Sequence, residues 1–196
     1  MKSRTATIRR KTMETDITVN VNLDGTGKYR VDTGIGFLNH MLELFSKHSL
    51  IDLTLKAKGD AKVDEHHTIE DVGICLGKAL RKALGDKKGI ERYGFLLPMD
   101  EALTEAAIDL GGRPYLVWNV SFKREMIGDM PTELFEDFFK AVADNLQANI
   151  HLNVKYGRNE HHIAESVFKA LARCLRSAVS RQTRTKKLLP STKGKL

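Results

Sequence analysis

A His-His-x-x-Glu sequence occurs twice in this chain of 196 residues, at 66–70 (HHTIE) and again at 161–165 (HHIAE). Imidazole and carboxylate groups are common ligands of Zn, Mn and Fe ions. Two copies about half a chain apart predict two ion sites, or one site built from both halves. Paired histidines at a helix start can instead cap the helix or face water. A charged imidazole there opposes the positive end of the helix dipole, whereas a metal-binding imidazole is neutral, so we favour a metal.

The spacing within each copy indicates how such sites are shared. Each copy opens a segment with the apolar periodicity of a helix, and residues four apart lie on one face of a helix. The first histidine and the glutamate of each copy therefore point the same way. The second histidine, His67 or His162, is turned away from them and can reach an ion held by another helix. This favours sites that combine His and Glu from one copy with the second His of the other.

Further histidines are candidates for the remaining ligands. His40 stands at the start of a helix predicted over 39–49, and His151 stands in a predicted strand. One extra histidine at each site gives a His3Glu set with open positions for substrate. His48, eight residues after His40, could face the same side of the helix. On the residues alone, a structural role explains each of these three equally well.

The repeat extends beyond the candidate ligands. Alternating segments at 51–60 and 150–159 predict a half-buried strand before each HH motif, and apolar positions four and seven or eight residues apart predict a buried helical stripe after it. We expect an α+β fold of internally duplicated half-domains, each a mixed β-sheet with two helices packed on one face. The expected halves are 1–88 and 89–185, followed by a basic tail at 186–196, and all of them pack as one compact unit.

The remaining patterns predict the other elements. A strand over 15–23 is expected to form a hairpin with a short strand over 29–31. Two strands should flank the Gly-Gly-Arg-Pro turn within 106–122. An amphipathic helix is predicted over 132–147, with Thr132 as a possible cap.

The charge is positive and uneven. The net charge is +7, the sequence pI is about 9.4, and no Asp or Glu follows Glu165. Such a basic end can bind nucleic acid, a membrane surface or a phosphorylated small molecule, and a solvated or oligomer-contact tail fits equally well. The absence of aromatic residues after Phe168 gives no support for stacking on bases. Without a membrane-spanning run or a secretory signal, and with Cys75 and Cys174 on apolar helix faces as free thiols, a cytoplasmic location is expected.

Eight motifs occur in order along nearly the whole chain. They are 9–17 (RRKTMETDI), 23–27 (LDGTG), 33–42 (TGIGFLNHML), 66–71 (HHTIED), 98–103 (PMDEAL), 112–115 (GRPY), 161–173 (HHIAESVFKALAR) and 190–194 (PSTKG). With these motifs the sequence resembles the imidazoleglycerol-phosphate dehydratase family of histidine biosynthesis. The length suits the monofunctional form, without a fused phosphatase domain.

The resemblance implies a ribosomal protein S5 domain 2-like fold and a dinuclear Mn(II) centre with two ions per subunit. It also implies a homo-oligomer of about 24 subunits with sites at subunit contacts. The implied partner is a small phosphorylated imidazole substrate, with no nucleic acid and no membrane. The two implied ligand sets are His40, His67, His161 and Glu165 for one ion, and His66, Glu70, His151 and His162 for the other.

The implied reaction removes water from D-erythro-imidazole-glycerol phosphate to give imidazole acetol phosphate. The proton leaves a carbon that has no adjacent carbonyl, so two ions on the ring nitrogens would favour an imidazolate-type intermediate. By family position Glu14 is the general acid/base, and His48 assists proton transfer. The basic tail would close over the phosphate, and the implied phosphate-binding residues are Arg92, Arg113, Lys169, Ser191 and Lys193.

Two residues depart from the family pattern. Asn39 stands where the family usually has Asp, and Gly111 stands where it favours Ser.

Two other functional hypotheses remain. The same ligands could serve a dinuclear hydrolase that acts through a metal-bound water. A non-enzymatic metal or nucleic-acid binding module would account for the His, Lys and Arg content, but not for Glu14 or the GRPY and PSTKG motifs.

Overall fold

A computed structural model of the chain describes residues 4–60, 62–181 and 188–191. The strands in these ranges are β1 (Thr5–Lys11), β2 (Asp16–Asn22), β3 (Tyr29–Asp32), β4 (Asp52–Lys58), β5 (Tyr93–Met99), β6 (Ala102–Asp109), β7 (Tyr115–Asn119), β8 (Met126–Ile127), β9 (Met130–Pro131) and β10 (Asn149–Tyr156). The helices are α1 (Gly36–Ser49), α2 (His66–Leu84), α3 (Leu134–Leu146) and α4 (Glu160–Val179).

Two four-stranded sheets share one topology. The first has the order β1-β2-β4-β3 and the second the order β5-β6-β10-β7. In each sheet the first three strands of this order are antiparallel neighbours, and the fourth runs parallel to the third. The short strands β8 and β9 pair with each other. The predicted α+β class with mixed sheets is confirmed.

The helices form a layer between the two sheets. Strands such as β2 and β6 alternate between buried and more exposed residues, so each sheet buries one face. Helices α1 and α2 cover the first sheet, α3 and α4 cover the second, and across the halves α1 packs on α4 and α2 on α3. The rings of Phe135, Phe138 and Phe139 on α3 contact the ring of Phe168 on α4, with the closest centroids 4.8 Å apart. No helix among the described residues is long and apolar enough to cross a bilayer.

The contact between α2 and α3 depends on two glycines of α2. A Cβ on Gly73 would lie 2.8 Å from the Phe138 carbonyl oxygen, and one on Gly77 would lie 2.8 Å from that of Val142. Real Cβ atoms do not approach backbone this closely. These glycines therefore allow the helix bearing one HH motif to lie directly against the other half of the molecule.

Gly73→Ala is expected to destabilise the fold. Overpacking a closely packed contact costs about 1–3 kcal/mol, which exceeds the gain of up to about 1 kcal/mol from better helix propensity. The net loss in unfolding free energy, measured by chemical denaturation at fixed protein concentration, should reach about 2 kcal/mol. Lys78→Ala, at an exposed position of the same helix, is the control. An increase in unfolding free energy for Gly73→Ala would contradict the packing account.

Two local predictions are wrong. β3 pairs with β4 and not with β2, because β4 lies between them and matches β2 over seven residues, whereas β3 offers only four. Thr132 does not cap α3. Glu133 precedes that helix, and the Thr132 hydroxyl donates to the carbonyl oxygens of Arg124 and Glu125. The strand β1 was missed, since its only apolar residues are Ala6 and Ile8.

Candidate metal centre

Two helices from different halves of the chain bring three predicted metal ligands together. His40 lies on α1, and His161 and Glu165 lie one turn apart on α4. The distances to Glu165 Oε1 are 2.8 Å from His40 Nε2 and 3.3 Å from His161 Nε2. The three ligand atoms lie within 4.8 Å of one another, and we call this group the His40 cluster. Two imidazole nitrogens and a carboxylate oxygen suit Mn, Fe or Zn.

Phe37 and Asp129 fix the position of the His40 cluster. The buried Phe37 ring meets the His161 ring edge-on at 5.3 Å between centroids, and the His40 ring at 6.3 Å. The Asp129 carboxylate accepts hydrogen bonds from the backbone N–H groups of Gly36 and Phe37 at the start of α1. These N–H groups have no partner within the helix. Asp129 follows β8, so the second half of the chain holds the start of the helix that carries His40.

Glu165 is buried beside a lysine. Its side chain is 9% exposed, and Lys169 Nζ lies 2.7 Å from its Oε2 and 3.0 Å from Met99 Sδ. Burial alone would raise the pKa of Glu165, but hydrogen bonds with Lys169 and His40 outweigh it and lower the pKa to about 2. The carboxylate is therefore ionised at neutral pH, which is the form that binds a metal.

A second group, the Glu14 cluster, consists of Glu14, Asp60 and His67. His67 Nδ1 lies 3.0 Å from Asp60 Oδ2, and its Nε2 lies 3.9 Å from Glu14 Oε1. One ligand atom from each residue lies within 4.8 Å of the others. The hydrogen bond with Asp60 raises the pKa of His67. Within one chain, His67 thus lies in this group and not beside His40.

Asp71 ties the turn that carries Glu14 to α2. The buried Asp71 carboxylate accepts hydrogen bonds from Arg10 Nε at 2.7 Å and from the Thr15 hydroxyl at 2.5 Å. Thr12 Oγ1 in turn accepts from the backbone N–H groups of Glu14 and Thr15. Sequence reasoning gave Asp71 no role, although it ends the HHTIED motif. Its buried carboxylate links the two segments that form the Glu14 cluster.

The second histidine of the other HH motif has a similar carboxylate partner. His162 Nδ1 lies 2.8 Å from Glu101 Oε2, and Glu101 Oε1 accepts from the Asn159 backbone N–H at 2.8 Å. The hydrogen bond with His162, followed by that from Asn159, lowers the pKa of Glu101 to about 2. Carboxylates that hold one nitrogen of an imidazole orient the other toward a metal. Asp60 and Glu101 both do so for Nδ1, and sequence reasoning missed both.

The other three predicted metal ligands lie apart from these groups. His66 Nδ1 lies 3.9 Å from Asp137 Oδ2 of α3, and Glu70 is exposed on α2. His151 lies on β10, with its ring centroid 6.5 Å from that of Tyr115. Among the described residues, only the His40 and Glu14 clusters bring three His or carboxylate ligand atoms together.

Arg92 and Ser191, two predicted phosphate-binding residues, lie close to each other. The Arg92 guanidinium forms a two-point ion pair with Asp109, and its Nη1 donates to the Pro190 carbonyl oxygen at 3.0 Å. Ser191 follows Pro190 in the chain, so the described part of the C-terminal segment lies against Arg92.

The remaining predicted residues are spread over the molecule. Arg113 is exposed in the turn before β7, and Lys169 belongs with the His40 cluster. Lys193 falls outside the described residues. His48 lies in the last turn of α1, where burial and then the positive charges of Lys169 and Arg173 lower its pKa.

Asn39 supports the loop before α1. Its Oδ1 accepts hydrogen bonds from the Thr33 backbone N–H at 2.8 Å and from the Thr33 hydroxyl at 2.7 Å. An aspartate oxygen could accept the same two bonds. Asn39 therefore keeps this structural contact without the negative charge.

Together, the fold and the clusters define an α+β protein with His and carboxylate groups suited to divalent metal ions. The sequence profile of the imidazoleglycerol-phosphate dehydratase family matches residues 33–175. The imidazoleglycerol-phosphate dehydratase of Gluconobacter oxydans is 58% identical over 196 residues, which cover 100% of this chain and 99% of the relative. That of Methylorubrum extorquens is 56% identical, covering 98% and 100%.

Solved structures of the same family share the fold. The imidazoleglycerol-phosphate dehydratase of Staphylococcus aureus superposes with a TM-score of 0.82 at 38% identity, covering 91% of this chain and 99% of that one. The Pyrococcus furiosus enzyme, solved in complex with (S)-C348, also gives 0.82, at 35% identity, covering 96% and 100%. This chain belongs to the imidazoleglycerol-phosphate dehydratase family. Its function is accordingly the dehydration of imidazoleglycerol phosphate in histidine biosynthesis.

Proposed function

We propose that this chain converts D-erythro-imidazole-glycerol phosphate to imidazole acetol phosphate with two Mn(II) ions per subunit, in sites completed by a neighbouring copy of the chain. The observation that carries this proposal is the His40 cluster, in which two imidazole nitrogens and an ionised carboxylate oxygen from separate halves converge. When bound, the ions would supply Lewis-acid stabilisation and orient the substrate ring. His40, His161 and Glu165 would hold one of them.

The position of His151 supports a site shared between chains. On β10, Ile150 and Leu152 are fully buried under the helices, so His151 between them faces the other side of the sheet, beside Ala107 and Val117. His66 belongs to the helix layer. A ligand set that contains both histidines needs atoms from opposite sides of one sheet, and a second chain supplies the missing side.

Glu14 is proposed to carry the proton that leaves or joins the substrate carbon. Its side chain is 55% exposed, so a substrate can reach it, while the turn that bears it is tied down by Thr12 and Asp71. A carboxylate in a fixed position transfers protons efficiently when its geometry suits the reacting carbon. His48, whose pKa is lowered, would be neutral near pH 7 and able to accept a proton.

The substrate phosphate is proposed to bind to the cationic side chains at the C-terminal segment. Arg92 contacts this segment directly, and the exposed Arg113 offers a fork suited to phosphate oxygens. Lys169, Ser191 and Lys193 complete the proposed set. We further infer that the chain arose by internal duplication, with an S5 domain 2-like half in each copy, which the shared strand order of the two sheets supports.

The direct test is the reaction itself. Protein purified with Mn(II) should form imidazole acetol phosphate from imidazole-glycerol phosphate, and a chelated sample should not. Two Mn(II) per chain by elemental analysis should accompany full activity. Activity that survives complete chelation would remove the metal from the proposal while leaving the family assignment intact.

Removal of metal is expected to loosen the assembly. If the ligands come from more than one chain, bound ions stabilise the subunit contacts, and the oligomer should dissociate as the ions leave. Sedimentation velocity before and after chelation measures this, and restoration by added Mn(II) is the control. An unchanged profile after full metal removal would contradict shared sites.

A further inference from the structure

Arg92 is held by an unusual combination of contacts. Its backbone φ is 71°, in the left-handed region that non-glycine residues rarely occupy. Its Nε and Nη2 donate to the two oxygens of Asp109, with Nη2 2.8 Å from Oδ2, and its Nη1 donates to Pro190. The guanidinium carbon lies 4.9 Å from the centre of the Tyr93 ring. Backbone strain that persists is often found at functional sites.

These contacts leave part of the guanidinium available. Arginine has five N–H donors in a planar fork. Among the described residues, Asp109 takes two of them and Pro190 takes one. No described residue accepts from the remaining two, one on Nη1 and one on Nη2, and these are the donors that an anion would meet. The carboxylate of Asp109 occupies one edge of the fork and so fixes the plane and direction of the other.

Gly111 lies beside this ion pair. A Cβ at Gly111 would lie 2.8 Å from Arg92 Nη2 and 2.9 Å from Asp109 Oδ2. Gly111 is not among the glycines with a positive φ, so its backbone conformation would accept other residues. Both neighbouring atoms are the ends of flexible side chains, so the serine that the family favours at this position would need only a small shift of the ion pair. The direction of Arg92 therefore depends on Asp109 and not on a glycine at 111.

We propose that Asp109 is a positioning residue that aims Arg92 at the phosphate of the substrate and at the C-terminal segment. This inference rests on the proposed role of Arg92 in phosphate binding. The same guanidinium that would contact the phosphate holds the carbonyl of Pro190, the residue before Ser191. The ion pair would thus set the direction of Arg92 and the approach of the segment that carries Ser191.

An orienting role and a purely electrostatic role of Asp109 predict opposite changes in phosphate affinity when this residue is replaced. If Asp109 only neutralised Arg92, its removal would make the region more positive and phosphate would bind more tightly. If Asp109 aims the fork, its removal frees the guanidinium to rotate and phosphate binds more weakly, since two-point recognition depends on geometry. The sign of the change therefore separates the two roles.

The test uses the full-length, Mn(II)-loaded protein. For Asp109→Asn we expect KM for imidazole-glycerol phosphate and the inhibition constant of inorganic phosphate both to rise about tenfold, with kcat within about threefold of the parent. Asp109→Glu keeps the charge but moves the carboxylate oxygens by one methylene, so it should shift both constants in the same direction. The matched control is Glu105→Gln, on the same strand and the same sheet face, where the carboxylate pairs with Lys155 at 2.6 Å. This control should change neither constant.

The outcomes are separable. Tighter or unchanged phosphate inhibition in Asp109→Asn would overturn the positioning role, as would a fall in kcat at constant KM. If thermal melting shows that Asp109→Asn folds poorly, Asp109→Glu decides in its place, and unchanged constants there would overturn the proposal. Arg92→Gln tests the underlying assignment. If Arg92→Gln leaves KM and phosphate inhibition unchanged, the phosphate role of Arg92 itself fails.

Discussion

Glu165→Gln is expected to lose most of the metal held by the His40 cluster and most of the activity. The glutamine keeps the size and one oxygen, but removes the charge that binds the ion and balances Lys169. Loss of a residue that merely orients a ligand costs about 10- to 100-fold in metal affinity or activity, so loss of a ligand should cost at least as much. Elemental analysis of the purified variant and the rate of imidazole acetol phosphate formation measure the two effects.

The chain offers a matched control for this substitution. Asp144 pairs with Lys140 on α3 in the same four-residue spacing as Glu165 and Lys169, but both side chains are exposed. Asp144→Asn should leave metal content and turnover unchanged, because exposed pairs of this kind contribute little. Full metal content and parental turnover in a folded Glu165→Gln protein would remove this residue from the proposed ligand set.

Glu14→Gln is expected to keep metal and assembly but to lower kcat by about 10²- to 10⁴-fold, the usual contribution of a general acid or base. Its oxygen lies 3.9 Å from His67 Nε2, beyond hydrogen-bond distance, so the substitution breaks no side-chain hydrogen bond of Glu14 seen in the structure. The turn should stay in place, because Asp71 and Thr12 hold it through Thr15 and through backbone N–H groups. Rate assays, elemental analysis and sedimentation together separate the chemical step from assembly.

Asp16 provides the comparison for Glu14. It lies two residues further along, and its carboxylate pairs with Arg9 across the β1–β2 ladder. Asp16→Asn removes a charge from the same hairpin without touching the Glu14 cluster, and kcat should stay within about threefold of the parent. Parental turnover in Glu14→Gln would exclude Glu14 as the proton carrier. Loss of assembly would instead assign it a structural role.

Local periodicity predicted the parts of the fold that are regular over several turns or alternations. The strand β4 was predicted close to its observed bounds, and a helix was predicted to begin at each HH motif, because the apolar residues of these segments recur at the strand or helical period. The pairing of β3 was predicted wrongly, since partner choice depends on which strands match in length and on the chain returning from a distant helix. The strand β3 has only four residues, which is too short a pattern to specify its neighbouring strand.

The sequence by itself determined which metal-binding groups are present, namely two HH motifs, each with a glutamate on the helical face of its first histidine. It also predicted the family, which the match to the family profile confirms. Only the tertiary structure decided which groups meet. His40 reaches Glu165 across 125 positions of sequence, because α1 packs on α4. Asp60 and Glu101 hold their imidazoles from loops outside the helices. Periodicity in the sequence describes one helix or strand at a time. Contacts between elements depend on how their buried faces pack, and a local sequence pattern does not specify that packing.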